Sequence, residues 1–221
     1  MKTIDFVIDK KEALRYAGHK GDELTQQVSD TADKVIAGCT AAVTPRSVVR
    51  RCGIEITSDG VQIKNSSLKL QGEDIKKHLT GCSECYIICV TAGSGTDAYI
   101  RTMMVLDTVH GLLADGAGTA AVENCCDTVE KQLREQLKTE GKYLTWRYSP
   151  GYGDFPFTQQ PQILEFLQAE KYAGVTCTDS CIMLPSKSVT AVMGIADSKP
   201  AHRANSCRTC PNKDNCNFSC R

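Results

Sequence analysis

Residues 86–90 have the sequence Tyr-Ile-Ile-Cys-Val (YIICV), a continuous apolar run. Such a run is typical of a strand that is buried on both faces of a sheet. A hairpin pattern precedes it, in which Ile54 and Ile56 alternate with polar residues and Asp59-Gly60 supplies the turn. Together the two patterns predict a sheet that has residues 86–90 in its interior.

Helical periodicity flanks these strands. One stripe of apolar residues, with spacings of four, three, four and four, is formed by Val122, Cys126, Val129, Leu133 and Leu137. The patterns predict helices at 9–20, 22–39, 73–79, 94–116, 117–141 and 159–174, and two further strands at 175–184 and 188–195. Because strands and helices are segregated and a hairpin is present, we expect an α+β fold rather than a doubly wound sheet.

The composition is that of a globular protein without a strong charge bias. The 221 residues are 41% hydrophobic and carry a formal net charge of zero, so no overall field attracts the chain to nucleic acid or to a membrane. No apolar run approaches the roughly 20 residues that a membrane-spanning helix needs, and acidic residues interrupt the start of the chain, unlike a signal peptide. We therefore expect a cytoplasmic protein.

Thirteen cysteines are an unusual number, and four of them are clustered at the end of the chain. The other nine lie mostly in apolar contexts, as expected for small buried side chains in a reducing compartment. The tail cysteines follow a C-x2-C-x5-C-x3-C pattern, at Cys207, Cys210, Cys216 and Cys220. Because this tail has almost no aliphatic content, a zinc ion or an iron–sulfur cluster is the favoured organiser, and free thiols are the alternative. The chain thus divides into a domain at 1–199 and a metal or iron–sulfur tail at 200–221.

Two glycine-rich stretches raise the possibility of a phosphate site, since strand–glycine–helix junctions expose free N–H groups. They are TAGSGTD at 91–97 and the weaker ADGAGTA at 114–120. The full dinucleotide fingerprint is absent from both, so the first is better interpreted as a tight strand-to-helix turn.

The loop at 147–157, RYSPGYGDFPF, combines stiffness with exposed backbone. Pro150 restricts its neighbour to extended geometry, and Gly151 and Gly153 leave the backbone open to a flat ligand. Tyr152 offers a ring, and the Arg147 guanidinium can hold a carboxylate through two hydrogen bonds. A pocket for a zwitterion with an aromatic part is one interpretation, with Glu123 available for a cationic group; a rigid loop that covers the core is the other.

The same loop resembles the R-x-x-P-G-Y-x-x-x-P signature of the S-adenosylmethionine-binding activation domain of cobalamin-dependent methionine synthase. The downstream sequence to Lys199 follows that family's order, and the N-terminal half is similar to stand-alone relatives that often end in a cysteine-rich tail. The resemblance implies a bent antiparallel sheet flanked by helices. By position, it assigns the binding of S-adenosylmethionine to Arg147, Pro150, Gly151, Tyr152, Gly153 and Glu123. Gly141 stands where the synthase has a glutamate, and the neighbouring Glu140 is a candidate substitute.

The implied activity is reductive methylation of an oxidised corrinoid, cob(II)alamin, with S-adenosylmethionine as methyl donor. The cobalamin is expected on a partner, a methionine synthase or another corrinoid protein, because the chain lacks a corrinoid-binding D-x-H-x-x-G pattern. An electron donor protein is a further expected partner, and an iron–sulfur cluster in the tail is a candidate relay. The alternatives are a non-catalytic binding module with a structural zinc tail and, ranked lower, a zinc-tailed protein that touches nucleic acid.

Overall fold

One antiparallel sheet organises the chain in this computed structural model, which describes residues 4–21 and 23–199. The strands are β1 (Arg46–Thr57), β2 (Gly60–Ile63), β3 (Lys69–Gln71), β4 (Cys82–Thr91), β5 (Tyr143–Leu144), β6 (Thr176–Cys177), β7 (Met183–Leu184) and β8 (Ser188–Ala196). The helices are α1 (Lys10–Tyr16), α2 (Gln26–Ala42), α3 (Glu73–Leu79), α4 (Ser94–Leu106), α5 (Thr108–Thr139), α6 (Gln160–Leu167) and α7 (Ala169–Ala173). Six strands form the main sheet in the order β3-β2-β1-β4-β8-β5, and β6 pairs with β7 alone.

Strand β4 lies inside the sheet, as the apolar run at 86–90 predicts, and it pairs with β1 on one side and β8 on the other. Tyr86, Ile88 and Val90 pack on one face, in a cluster with the C-terminal half of α5. Ile87 and Cys89 pack on the other face, in a cluster with residues of α3, α6 and α7. Both faces of β4 are therefore covered, and the expected α+β fold is confirmed.

Strand β1 changes its neighbour part-way along its length. Its first eight residues pair with β4, from Arg46 opposite Thr91 to Gly53 opposite Glu84. Its last four residues pair with β2, beginning with Ile54 opposite Ile63. The segment at 46–52 consequently has a strand on one side only. The sequence patterns do not predict a strand at 46–52.

The helix boundary expected near residue 116 is wrong, because α4 ends at Leu106 and α5 runs unbroken for 32 residues. ADGAGTA is thus helical rather than a phosphate-binding loop. Its glycines allow close packing: a Cβ on Gly116 would lie 2.4 Å from the carbonyl oxygen of Ala13 in α1. The tight-turn interpretation of TAGSGTD is confirmed, because β4 ends at Thr91 and α4 begins at Ser94. Gly95 then allows close packing, since a Cβ there would lie 2.5 Å from the carbonyl oxygen of Ala42.

Two other predicted elements are interrupted. The helix expected at 159–174 divides into α6 and α7 at Gln168, whose left-handed φ of 51° ends the first helix. The strand expected at 175–184 is a hairpin of β6 and β7, with Cys181 in left-handed geometry at its turn. In the described part of the chain, no helix is both long and apolar enough to cross a membrane.

Candidate functional site

The chain that leads into the PGY motif runs along the outer edge of the sheet. β5 pairs with the end of β8, the Thr145 N–H donates to the Gly194 carbonyl at 2.9 Å, and Tyr148 bridges to Val192. Because side chains alternate along an extended segment, neighbours point to opposite sides. Arg147 lies on the α5 side, whereas Tyr148 packs with the cluster on the opposite side.

Three carboxylates of α5 surround the Arg147 guanidinium. Nη2 lies 2.7 Å from Asp127 Oδ1 and 3.3 Å from Glu123 Oε2, and Nε lies 3.4 Å from Glu130 Oε2. Spacings of four and three residues place these acids on one face of the helix. Nη1 is buried and has no hydrogen-bond acceptor among the described residues. The arginine is therefore held firmly, and its third nitrogen is enclosed by the protein.

A cavity of about 280 Å³ opens beside this arginine, between α5 and the N-terminal segment. Asp9 and Glu12 line it from the α1 side, and Glu123 and Asp127 line it from α5. Burial raises the pKa of Glu123, while the nearby Arg147 guanidinium acts in the opposite direction. The carboxylates outnumber the arginine, so the lining favours a ligand with net positive charge. We call this space the Arg147 cavity.

Residues 149–155 form a compact turn, called here the PGY turn. The Gly151 N–H donates to the Phe155 carbonyl at 2.8 Å, and the Tyr152 N–H donates to the Ser149 carbonyl at 3.1 Å. Gly151 and Gly153 have φ values of 95° and 54°, which side chains rarely adopt. Tyr152 is 54% exposed, so its ring is available to a ligand or a partner.

The PGY turn is fixed to the start of α3. Asp154 accepts hydrogen bonds from the Glu73 and Asp74 N–H groups, at 2.7 and 2.9 Å, and these bonds hold its pKa below the usual range. The His78 ring stacks on Tyr148, with 5.0 Å between the centroids. The turn is thus positioned by contacts with residues about 80 positions earlier in the chain.

Gln159 forms a second link between the loop and the same corner. Its Oε1 accepts from the Gln71 N–H at 2.7 Å, and its Nε2 donates to the Lys69 carbonyl at 2.7 Å. The start of the loop is consequently attached to β8 through Tyr148, and its second half and the residues that follow are attached to α3 and β3. These contacts account for the stiffness that its sequence suggests.

The structure brings together some of the sequence-predicted site residues. Glu123 contacts Arg147, whereas Pro150, Gly151, Tyr152 and Gly153 lie in the turn, which is anchored on the α3 side of the edge. Asp127 and Glu130 were not predicted as partners of Arg147, although their helical spacing from Glu123 was a usable signal. Asp154 and Gln159 were not predicted either, because their partners are too distant in sequence to be recognised.

Glu140 does not take part in the Arg147 cluster. It pairs with Arg51 at 2.8 Å, and the ten residues that separate it from Glu130 span about 15 Å along the helix. Gly141 ends α5 with a φ of 69°, and a Cβ there would meet no atom within 4 Å. Position 141 therefore belongs to the helix end rather than to the cavity. The tail cysteines Cys207, Cys210, Cys216 and Cys220 lie outside the described residues.

Comparison with known proteins identifies the family. The sequence model of the family described as "Vitamin B12 dependent methionine synthase, activation domain" matches residues 87–209, more than half of the chain. The chain belongs to this family. The match begins in β4, earlier than the PGY signature, and leaves β1, β2, β3 and α3 outside it. No curated protein matches the chain.

One similar solved structure is described as "Crystal Structure of the MetH Reactivation Domain bound to AdoHcy". Its TM-score is 0.58 at 20% sequence identity, and the alignment covers 82% of this chain and 69% of that chain. This likeness shows a shared fold, which confirms the antiparallel sheet flanked by helices. The described residues contain no group of three or more His, Cys, Asp or Glu side chains arranged to hold a metal ion.

Proposed function

We propose that this member of the activation-domain family binds S-adenosylmethionine along the β5 edge of the sheet, from the Arg147 cavity to the PGY turn. The observation that carries the proposal is the arrangement around Arg147, in which the guanidinium lines the cavity beside a surplus of carboxylates. Family membership supplies the independent support for this ligand.

The charges of the ligand fit the cavity. S-adenosylmethionine carries one carboxylate, one ammonium and one sulfonium, and its net charge is therefore positive. The carboxylate would accept a charge-assisted hydrogen bond from the Arg147 guanidinium, which lines the cavity. The ammonium would be balanced by Glu123 or Asp127, whose side chains line the same space.

The Arg147 cavity is too small to enclose the whole ligand, so the two ends of the ligand would occupy two places. At about 280 Å³ it lies just below the usual range for pockets that enclose a whole small molecule, and it suits the amino-acid end alone. The adenosyl group would then extend toward the PGY turn. There Gly151 and Gly153 leave the backbone accessible, and Tyr152 offers an exposed ring.

We further propose that the bound donor methylates a corrinoid carried by a partner, a methionine synthase or another corrinoid protein. The reduced corrinoid supplies the nucleophile: cob(II)alamin takes up one electron and the methyl group, and S-adenosylhomocysteine is released. The residues of this chain orient the methyl group and need not supply a nucleophile. The rigid PGY turn would serve this task by keeping the adenosyl end in one position at the exposed edge.

The tail is the proposed route for the electron. Four cysteines in 14 residues, Cys207, Cys210, Cys216 and Cys220, have the composition of an iron–sulfur or zinc ligand set, and a cluster there would relay one electron from a donor protein. Anaerobic purification followed by iron, sulfide and zinc analysis tests this step. We expect iron and acid-labile sulfide, with a visible band that bleaches on reduction. Stoichiometric zinc without iron would contradict the relay.

The second candidate function is a non-catalytic binding module with a structural zinc tail. The observation that favours it is that two of the three Arg147 nitrogens already contact carboxylates of the chain itself. Two experiments separate the candidates. Calorimetry asks whether S-adenosylmethionine binds at all, and a transfer assay asks whether a methyl group moves.

The transfer assay uses methyl-labelled S-adenosylmethionine, a cobalamin-loaded methionine synthase without its own activation domain, and a chemical one-electron reductant. We expect label on the corrinoid only when this chain and the reductant are both present. Binding without transfer would support the second candidate. An Arg147→Gln variant provides the control, because methyl transfer that persists in this variant does not depend on the proposed cavity.

A further inference from the structure

An open sheet edge lies away from the β5 edge, along the first half of β1. Residues 46–52 pair with β4 only, because the pairing of β1 with β2 begins at Ile54. The Gly53 carbonyl accepts from the Lys64 N–H at 2.9 Å, on the side away from β4. Because an antiparallel ladder alternates, Ser47, Val49 and Arg51 present their N–H and C=O groups on that same side. We call residues 46–52 the β1 edge.

No strand of the described chain occupies this side. Among residues 4–21 and 23–199, no backbone group donates to or accepts from the outward groups of Ser47, Val49 or Arg51. An unpaired strand edge is a template for a further strand, since it offers a row of donors and acceptors at the correct spacing. Seven residues extend over roughly 20 Å, enough for an added strand of ordinary length.

A groove of about 770 Å³ runs beside the β1 edge, and cations line it. Arg50, Arg51, Lys64 and Lys69 contribute positive charges, and Glu165 of α6 contributes a negative one. Arg51 is neutralised by Glu84 and Glu140, and Lys69 by Asp59. Lys64 and Arg50 make no ion pair with any carboxylate in the described part of the chain. The groove therefore keeps a positive excess.

Contacts with Phe166 fix the position of the Arg50 guanidinium. Its Nη1 donates to the Phe166 carbonyl at 2.6 Å, and its guanidinium lies over the Phe166 ring, 4.6 Å from the centroid. A planar cation fixed in this way loses little further conformational freedom when it contacts a carboxylate. Arg46, at the start of the same strand, is also exposed and lacks an ion pair among the described residues.

We propose that the β1 edge recruits an extended acidic segment of a partner protein, which adds to the sheet as a strand beside β1. Main-chain hydrogen bonds to Ser47, Val49 and Arg51 provide the pairing, and the unpaired cations Arg50 and Lys64 select acidic side chains. This surface lies on β1, with β4 and β8 between it and the β5 edge, so a partner could dock there while the Arg147 cavity stays accessible.

The test uses three synthetic peptides with blocked ends. The first alternates glutamate and valine over seven residues, the second replaces its central valine by proline, and the third carries lysine in place of glutamate. Proline removes a backbone donor and breaks the ladder while it preserves the acidic charge. Binding is followed by two-dimensional amide NMR and by fluorescence anisotropy with the protein in excess.

Protein variants with a matched control test the role of charge. The double variant Arg50→Gln/Lys64→Gln removes the two unpaired cations, and Lys34→Gln/Lys131→Gln removes two exposed lysines from α2 and α5. We expect the acidic peptide to bind the wild type and the control equally, and to bind the first double variant about fivefold more weakly. Its amide shifts should be concentrated at Ser47, Val49 and Arg51.

Each remaining outcome contradicts the proposal. If the proline-containing peptide binds as well as the uninterrupted one, charge alone is recognised and strand addition is wrong. If both double variants weaken binding equally, the attraction is unspecific. If none of the peptides shifts the edge amides while inorganic phosphate shifts those of Arg50 and Lys64, the groove is a small-anion site instead.

Discussion

The β5 edge and the β1 edge belong to the same sheet but carry opposite charges. At the β5 edge, Arg147 is surrounded by three carboxylates, and the adjoining cavity keeps a negative excess. At the β1 edge, Arg50 and Lys64 have no carboxylate partner within the described residues, and the groove keeps a positive excess. The formal net charge of zero conceals this separation. The comparison suggests one edge for a cationic small molecule and one for an acidic partner.

The largest effect is expected when Arg147 at the β5 edge is substituted. Arg147→Gln removes the donor for the ligand carboxylate and leaves Glu123 and Asp127 without their cation, whereas Glu130 keeps Arg134. Calorimetry should therefore show S-adenosylmethionine binding weakened about 10- to 100-fold. The free energy of unfolding, measured by urea denaturation, should fall by about 2 kcal/mol. Binding of the acidic peptide to the β1 edge should not change.

Arg51→Gln is the matched control, because Arg51 also holds two carboxylates but lies outside the cavity. It should lose stability and keep its affinity for S-adenosylmethionine. If the two variants lose ligand affinity equally, the effect is one of general stability and the assignment of the β5 edge is wrong.

Two glycines with left-handed geometry, Gly153 in the PGY turn and Gly141 after α5, allow the roles of these two segments in ligand binding to be compared. A Cβ on Gly153 would lie 2.3 Å from Asp74 Oδ2 and 2.6 Å from the Tyr148 hydroxyl, whereas a Cβ on Gly141 would meet nothing within 4 Å. Gly153→Ala should lower the free energy of unfolding by about 2 kcal/mol and weaken ligand binding, and Gly141→Ala should cost about 1 kcal/mol with affinity unchanged. A loss of ligand affinity in Gly141→Ala alone would place position 141 in the site.

The pH dependence of ligand binding tests the carboxylates of the cavity. The pKa of Glu123 is raised by burial, so acidification protonates it at a higher pH than an ordinary glutamate. Affinity for S-adenosylmethionine should therefore fall as the pH drops through this raised pKa. Glu123→Gln should bind more weakly at neutral pH and lose that part of the pH dependence. An unchanged pH profile in this variant would exclude Glu123 as a ligand contact.

The smallest expected effect concerns the attachment of the PGY turn. Asp154→Ala removes both hydrogen bonds to the start of α3, and we expect the melting temperature to fall by roughly 2–4 °C. The pKa of Asp154 is lowered in the folded state, so its stabilising contribution is present above the unfolded pKa and is lost as the pH falls through the folded pKa. The melting temperatures of the wild type and of Asp154→Ala should therefore become equal at acidic pH. A difference in melting temperature that persists at acidic pH would contradict this role of the Asp154 carboxylate.

The elements that depend on local contacts are the ones that the sequence predicts correctly. The apolar run of β4 and the hairpin around Asp59-Gly60 are recognisable because each depends on a few consecutive residues. The turn itself lies one position earlier than predicted, at 58–59, since Gly60 already pairs with Thr57. The attachment of Asp154 to α3 was not predictable, since the partners lie about 80 residues apart. The helix boundary was misplaced because Gly116 resembles a helix end in sequence and serves instead for close contact between α1 and α5.

The central claim is that the surplus of carboxylates in the Arg147 cavity selects a cationic methyl donor. It is tested most directly by calorimetric titration of the anaerobically purified protein with S-adenosylmethionine and with S-adenosylhomocysteine, which lacks the sulfonium charge. The account predicts tighter binding of S-adenosylmethionine, with a difference that shrinks at high salt and in an Asp127→Asn variant. Equal affinities for the two ligands, or no binding of either, would contradict it.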